Sequence, residues 1–248
     1  MTAGSNPYES DRLVADYLAF HFGADHHAGV PLPREALDFP IRLVRELIDC
    51  GRPVERALDV GCAVGATSFE LARHATAVVG VDFSHAFIGA ARTLARDGRL
   101  GSSVPVEGRI TTAFEAVVPV EIDRSRVTFF QGDAMDLPAD LGPFDLVIAA
   151  NLICRLPDPM RFLDRLPDLV NPGGQLLLAT PFSWLEEYTP ETHWLGGRPD
   201  GVRGWDRLRE ILSSYFELAF TKDLPFLIRE HARKYQYGIS LGSRWIRR

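Results

Sequence analysis

Lysine is almost missing from this chain of 248 residues: Lys222 and Lys234 are the only two, and arginine supplies the other 25 of its 27 basic residues. Against 33 acidic residues the formal net charge is -6, and no long basic run interrupts the sequence. A phosphate backbone needs a clustered positive footprint, so nucleic acid is not the expected partner. Cysteine is scarce as well. Cys50, Cys62 and Cys154 are odd in number and share no metal-ligand spacing, which sets aside a disulfide framework and points to a reducing compartment. His26 and His27 resemble half a metal site but lack partners at ligand spacing, so a surface loop and no metal are expected there. No run approaches 18 apolar residues, and Met1 to Gly23 carries polar and acidic residues where a signal peptide needs a basic start and an apolar core. The expectation is a cytoplasmic protein that engages no membrane. Internal repeats and low-complexity tracts are absent too, and the length suits one α/β domain with decorations rather than two domains.

What the chain does have is three acids, Asp59, Asp82 and Asp133, each placed at or near the end of an apolar, strand-like segment. Arg56 to Thr67 reads RALDVGCAVGAT, a strand, a tight loop with Gly61 and Gly65, and the start of a helix. Glycine suits such a loop because it tolerates unusual backbone angles and carries no side chain to collide with a ligand lying over it. Ala77 to Asp82 (AVVGVD) is a second apolar run ending in an acid, where a ribose can find an acceptor for both hydroxyls. Val127 to Ala134 (VTFFQGDA) is the third, with Asp133 placed to accept from an adenine amino group. The loop G-C-A-V-G lacks the middle glycine of G-x-G-x-x-G that lets a pyrophosphate approach the backbone. A sulfonium cofactor carries no phosphate and has no need of it.

Through these motifs, FDLVIAAN at Phe144 to Asn151 and NPGGQLLL at Asn171 to Leu178, the chain resembles the class I methyltransferases that use S-adenosylmethionine and release S-adenosylhomocysteine. The resemblance covers roughly residues 54–181. It implies an α/β, Rossmann-like fold with a seven-stranded, mostly parallel sheet, and a cofactor held by Asp59, Gly61, Cys62, Gly65, Asp82, Phe83, Asp133, Ala134 and Asn151. One domain is expected over 1–248: an N-terminal helical cap (1–53), the cofactor-binding core (54–181), and a substrate-side loop with C-terminal strands (182–248).

Helical periodicity predicts cap helices over Ser10 to Phe22 and Phe39 to Cys50. Ser84 is placed to cap a helix running to about Arg96, and Pro159 to Val170 and Trp205 to Tyr215 read as further helices. Gly101 to Arg126 is an insertion before the third core strand, with two short strands and a turn expected. Pro181 to Gly204 is a long segment whose aromatic content argues against disorder. Phe216 to Thr221 and Tyr235 to Trp245 are expected to close the sheet antiparallel.

Ligands of open α/β sheets lie across the carboxyl ends of the strands. Asn151, Arg155, Thr180, Tyr188, Thr189 and Trp194 qualify by position, as do Tyr8, Asp11, Tyr17 and His21 near the start and Arg229, Glu230, His231, Arg233 and Lys234 near the end. Four phrases outside the core, NPYESDRLVADYLAFHFG, NLICRLPDP, PFSWLEEYTP and LPFLIREHARKYQY, resemble the mercaptohistidine N1-methyltransferase of ovothiol biosynthesis, a family that occurs alone or fused behind a sulfoxide synthase. That resemblance implies 5-mercaptohistidine (also numbered 4-mercaptohistidine) as substrate, ovothiol A as product and a functional link to a sulfoxide synthase. Such a substrate asks for an arginine fork on its carboxylate, from Arg155 or Arg229. It also asks for an acid on its ammonium, from Glu230 or Asp11, and for aromatic walls such as Tyr8, Tyr17, Tyr188 or Trp194. Tyr8, His21 and Asn151 are the catalytic candidates, with Tyr8, His21 or water available to take a ring proton.

Two rival readings stand beside this one: the same fold acting on another small O- or N-acceptor, and a cofactor-binding accessory protein without turnover. A dehydrogenase comes third, disfavoured by the missing middle glycine. Thermal melts separate the cofactors: S-adenosylhomocysteine is expected to raise the melting temperature and NADH to leave it unchanged, and the reverse pattern would overturn the cofactor reading.

Overall fold

A computed structural model of the protein describes residues 7–23 and 30–248; the His26 and His27 pair lies outside them. The helices among the described residues are α1 (Asp11–Phe22), α2 (Phe39–Leu47), α3 (Ala66–Leu71), α4 (His85–Asp97), α5 (Pro159–Leu169) and α6 (Gly204–Ser213). The strands are β1 (Val54–Val60), β2 (Ala75–Asp82), β3 (Arg99–Glu107), β4 (Ile110–Val117), β5 (Val127–Gln131), β6 (Phe144–Ala150), β7 (Val170–Thr180), β8 (Phe216–His231) and β9 (Lys234–Arg247). No described helix is long and apolar enough to cross a membrane.

Local chemistry sets the helix boundaries. Ser10 Oγ accepts from Leu13 N at 3.3 Å and starts α1. Ser84 Oγ accepts from Phe87 N at 3.1 Å and starts α4, which Gly98 ends at φ 76°. Unbroken apolar runs give strands buried on both faces. Leu58, Val60, Val147 and Ala149 face a core shared with α5 and α6, whereas Ala57, Leu146 and Ile148 face the core under α1 to α4.

Seven strands form one sheet in the order β5-β2-β1-β6-β7-β9-β8, as expected. From β5 to β7 every neighbour is parallel, and β9 runs antiparallel to both β7 and β8. The chain builds outward from β1 through β2 to β5, then returns to β6 on the other side. That reversal opens a crevice at the carboxyl ends of β1 and β6, where ligands of such sheets bind. The insertion is an antiparallel hairpin, β3 with β4, longer than two short strands and starting at Arg99.

The C-terminal strands differ most from expectation. Pairing between β7 and β9 ends at Thr180 with Leu241, but β8 and β9 stay paired as far as His231 with Lys234. Residues 224–240 therefore project past the carboxyl edge of the sheet as a two-stranded arm, roughly 25 Å long at about 3.4 Å per residue. The arm packs on the cap through Phe226, whose ring lies 5.4 Å from Phe39 and 6.4 Å from Phe20. Its partner across the arm is Gly238, where a Cβ would run into the Phe226 ring.

Close packing also fixes the middle of the sheet. A Cβ on Gly80 would stand 2.5 Å from Phe129 Cδ1. Gly80→Ala is expected to lower unfolding stability by about 1–3 kcal/mol through overpacking. In a urea double-mutant cycle with Phe129→Leu, much of that loss is expected to disappear; simple additivity would overturn the contact as its cause.

Candidate active site

The crevice is built by backbone before side chains. Gly61 N and Cys62 N both donate to Val81 O, at 2.8 and 3.0 Å, drawing the loop after β1 across to the end of β2. Ala63 sits at φ 46°, Asn151 at 52° and Phe182 at 51°. These are three of the four non-glycine residues at positive φ among the described residues, and they stand just past the carboxyl ends of β1, β6 and β7. Strain of this kind persists where the surroundings over-determine it, and functional sites are where it gathers.

The loop glycines serve the fold more directly than a ligand. Gly61 and Gly65 lie at φ 77° and 92°. A Cβ would meet Leu152 Cδ1 at 3.1 Å from Gly61, and Phe129 Cζ at 2.7 Å from Gly65. Cys62 is buried within the same loop, and burial pushes its thiol well up. Asp59 also turns inward. Its Oδ2 accepts from Ser68 Oγ at 2.6 Å, and burial pushes its carboxyl up to about 7. It holds α3 beneath the loop instead of lining the surface above it.

Asp82 and Asp133 are the acids that remain for a ligand. Asp82 Oδ2 accepts from Ala63 N and Oδ1 from Ser84 N, both at 2.9 Å. Phe83 N–H also bonds this carboxylate, and its remaining acceptor capacity is left for a ligand hydroxyl. Asp133 Oδ1 accepts from Met135 N at 2.8 Å. Ala134 is buried beside it, and Phe83, 56% exposed, follows Asp82. The loop from Gly61 to Thr67 carries no basic residue, and Asp82 faces it through the Ala63 N–H. A pyrophosphate would meet like charge here, whereas a nucleoside bearing a sulfonium and an ammonium suits both the acceptors and the field.

Over the crevice the structure gathers four of the residues selected from sequence: Tyr8, Tyr17, Arg155 and Tyr188. Tyr17 lies 4.7 Å from the Phe87 ring and 6.2 Å, edge on, from Tyr8. Tyr8 hydrogen-bonds Tyr188 through its hydroxyl, and Arg155 Cζ stacks 4.8 Å over the Tyr188 ring. Burial pushes Tyr17 up to about 12 and Tyr8 further still, with the Asp82 carboxylate adding to the effect on Tyr17. Both stay neutral, so neither is placed as a proton acceptor. Arg155 Nη1 donates to Cys154 O at 3.0 Å and Ser183 O at 2.8 Å, and Nη2 donates to Ser183 Oγ at 3.3 Å. Nε–H and the second Nη2–H have no partner among the described residues. Together they form the side of the guanidinium that matches a carboxylate.

His21 stands behind the loop. Ala66 N donates to its Nδ1 at 3.4 Å, and burial pushes the imidazole down to about 3. That nitrogen is engaged at the start of α3 and is not free to act as a base. The remaining predicted residues lie outside the group. Asp11 is exposed on α1. Glu230 pairs with Lys234 at 2.5 Å and accepts from Gln236 at 2.9 Å. Trp194 Nε1 donates to Thr189 O at 2.7 Å, and Thr189 Oγ1 to Leu156 O at 2.7 Å, so both pin their own segment. Arg229 donates from Nη2 to Pro105 O at 3.1 Å and ties the arm to the inserted hairpin. Arg229 lies five residues beyond Leu224, the pairing partner of Ser240. That is roughly 17 Å along the strand.

Three contributors escaped sequence reasoning. Glu9 accepts from His85 N at 2.9 Å and Ala86 N at 3.1 Å, docking the N-terminal segment on the start of α4. Ser183 holds Arg155, and Ser240 donates to Asn151 Oδ1 at 2.6 Å. Ser183 lies in the aromatic segment already singled out; for Glu9 and Ser240 no local pattern exists, because their partners are 76 and 89 residues away.

Comparison with known proteins agrees with this geometry. Residues 32–217, three quarters of the chain, match the family described as "Methyltransferase domain". A ubiquinone biosynthesis O-methyltransferase from Coxiella burnetii is 29% identical over 51% of this chain and 43% of its own length. One from Xanthomonas campestris is 31% identical over 61% and 53%. The chain thus matches about half the length of these curated relatives. Among solved structures, N-methyltransferase NodS from Bradyrhizobium japonicum in complex with S-adenosylhomocysteine aligns with a TM-score of 0.52 at 16% identity, covering 94% of this chain and 98% of that one. The YcgJ protein from Bacillus subtilis gives 0.54 at 16% identity over 84% and 98%.

Two buried groups give stability opposing pH dependences. His21 folds neutral, so its contribution is present above its ordinary 6.5 and is lost as pH falls toward about 3. Asp59 folds protonated, so its contribution is full below 3.8 and is lost as pH rises through about 7. Asp59→Asn keeps the shape without the charge. In urea unfolding from pH 4.5 to 7.5 the variant is expected to gain stability on the wild type steadily as pH rises; a pH-independent difference would overturn the assignment.

Proposed function

The chain belongs to the methyltransferase-domain family, and from that premise we propose that it takes S-adenosylmethionine as its cofactor and methylates an imidazole nitrogen of 5-mercaptohistidine. The observation that carries the reading is the cluster of Tyr8, Tyr17, Tyr188 and Arg155 above the crevice, beside the ribose-type acceptor Asp82. The four phrases outside the core motifs support the same substrate. Two free Arg155 donors fit an α-carboxylate, and the tyrosine rings fit a flat heteroaromatic ring.

When bound, the cofactor supplies an electrophilic methyl group on a sulfonium. The protein's part is placement, because in-line transfer needs aligned reactants more than acid or base chemistry. Arg155, held by Ser183 and stacked on Tyr188, fixes the carboxylate end. Tyr8 and Tyr17 fix the ring plane and exclude water. Asn151, at the end of β6, offers a donor to the sulfur and leaves a ring nitrogen facing the methyl group.

A second reading comes from the O-methyltransferase names of the curated relatives, and the aromatic wall would also accept a phenol. A phenol must lose its proton before attack, however, and Tyr8, Tyr17 and His21 are all held in forms that do not take one near neutrality. An imidazole nitrogen already carries a lone pair. This difference favours nitrogen as the acceptor.

Mass spectrometry of a reaction with S-adenosylmethionine and 5-mercaptohistidine, with histidine and cysteine as controls, followed by NMR of the product, is expected to find an N-methyl imidazole. An S-methyl product would keep the substrate and refute the orientation, and no product would remove the reading. Arg155→Ala loses a charge-assisted pair and is expected to raise KM about ten- to a hundredfold with a smaller change in kcat.

A further inference from the structure

Asn151 stands where the sheet reverses, at the carboxyl end of β6, beside the loop after β1 whose Gly61 packs on Leu152. Its backbone is left-handed at φ 52° and tied by Asn151 N to Ala179 O at 2.7 Å. Asparagine tolerates that conformation better than most residues. The side chain is fixed as well. Ser240, fully buried on β9 at the root of the arm, approaches Asn151 Oδ1 to 2.6 Å. That distance lies within the range of O–H···O bonds and below that of N–H···O bonds. The serine hydroxyl donates to the amide oxygen. Both Nδ2 hydrogens are left without a partner among the described residues, on a half-buried side chain at the mouth of the crevice.

We propose that Ser240 is a positioning residue of the methyl-transfer site, locking the Asn151 carboxamide so that its two Nδ2–H donors face the acceptor substrate. The inference rests on the proposed function in one respect: the substrate atom that receives these donors is the thiolate sulfur, the better nucleophile of mercaptohistidine. Bonded there, the sulfur is kept off the methyl group and the ring nitrogen is presented instead. The Ser240 and Asn151 pair would then decide nitrogen over sulfur methylation without either residue moving a proton.

The test follows the Asn151 side-chain amide by 1H–15N NMR in protein saturated with S-adenosylhomocysteine, the signal being assigned by its loss in Asn151→Asp. Ser240→Ala is expected to bring its two proton shifts toward those of a freely rotating amide and to speed their exchange. Ser240→Thr is expected to restore the wild-type pattern, and thermal melts with S-adenosylhomocysteine establish that both variants fold and bind. Amide signals indifferent to Ser240→Ala would overturn the proposal whatever the substrate is. Addition of 5-mercaptohistidine, but not histidine, is expected to shift the wild-type amide. An amide that depends on Ser240 yet ignores mercaptohistidine upholds the positioning pair and overturns the substrate reading. In turnover, Ser240→Ala is expected to lower kcat about tenfold with KM for the cofactor unchanged and to raise the share of S-methyl product, Ser240→Thr restoring both; an unchanged product ratio would overturn the selectivity role.

Discussion

Two backbone hydrogen bonds from Gly61 and Cys62 to the Val81 carbonyl hold the end of β1 against the end of β2, and the site is arranged around them. They force Ala63 into a left-handed conformation and bring its N–H onto Asp82. Asp82 is thereby oriented by the loop it faces. Beneath, Asp59 and Ser68 anchor the start of α3, while His21 accepts the Ala66 N–H from the other side. The loop is clamped from above and below by groups that burial keeps uncharged at mildly acid pH, so its shape depends little on solvent screening.

The acceptor side works by a different logic. Tyr8, Arg155 and Asn151 are each held in place by a neighbouring residue. Glu9 docks the segment carrying Tyr8, Ser183 steadies Arg155, and Ser240 steadies Asn151. Binding groups prepared in this way lose little freedom when a ligand arrives. The cost is local backbone strain at Asn151 and Phe182, borne by β7 and the arm packed beside them.

Sequence reasoning reached the sheet, the insertion and the order of the acids because each rests on a local signal: an apolar run, a glycine turn, a serine ahead of a helix. Ser84 and Asp82 stand where that reading put them. It ended the first C-terminal strand at Thr221, whereas β8 runs on to His231, and the second took in Gly238 and Gly242 with no local reason for glycine inside a strand. Their reasons are tertiary. Gly238 makes room for Phe226, and Gly242 for Leu224 and Leu47. Asp59 illustrates the opposite limit. Its position at the end of β1 was legible, but whether the carboxyl faces a ligand or Ser68 is decided by α3 folding back beneath it. Among the predicted substrate residues, Tyr8, Tyr17, Arg155 and Tyr188 came together, while Asp11 faces solvent on α1. Those on the arm, Arg229 and Glu230, found partners on the hairpin and within the arm instead.

The antiparallel course of β9 has a practical side. Leu241 pairs with Thr180 at the carboxyl end of β7 and Ile246 with Gln175 midway along it, so the chain runs away from the crevice, and Arg248 N–H is bonded to Tyr215 O. The segment at Pro7–Glu9, by contrast, rests on the start of α4 at the rim of the crevice. The two ends of the described chain thus have unequal access to the chemistry: a surface attachment or dye at Arg248 leaves the mouth clear, whereas one at the Pro7–Glu9 turn itself lies beside it and is well placed to report on, or to obstruct, the entry of substrate.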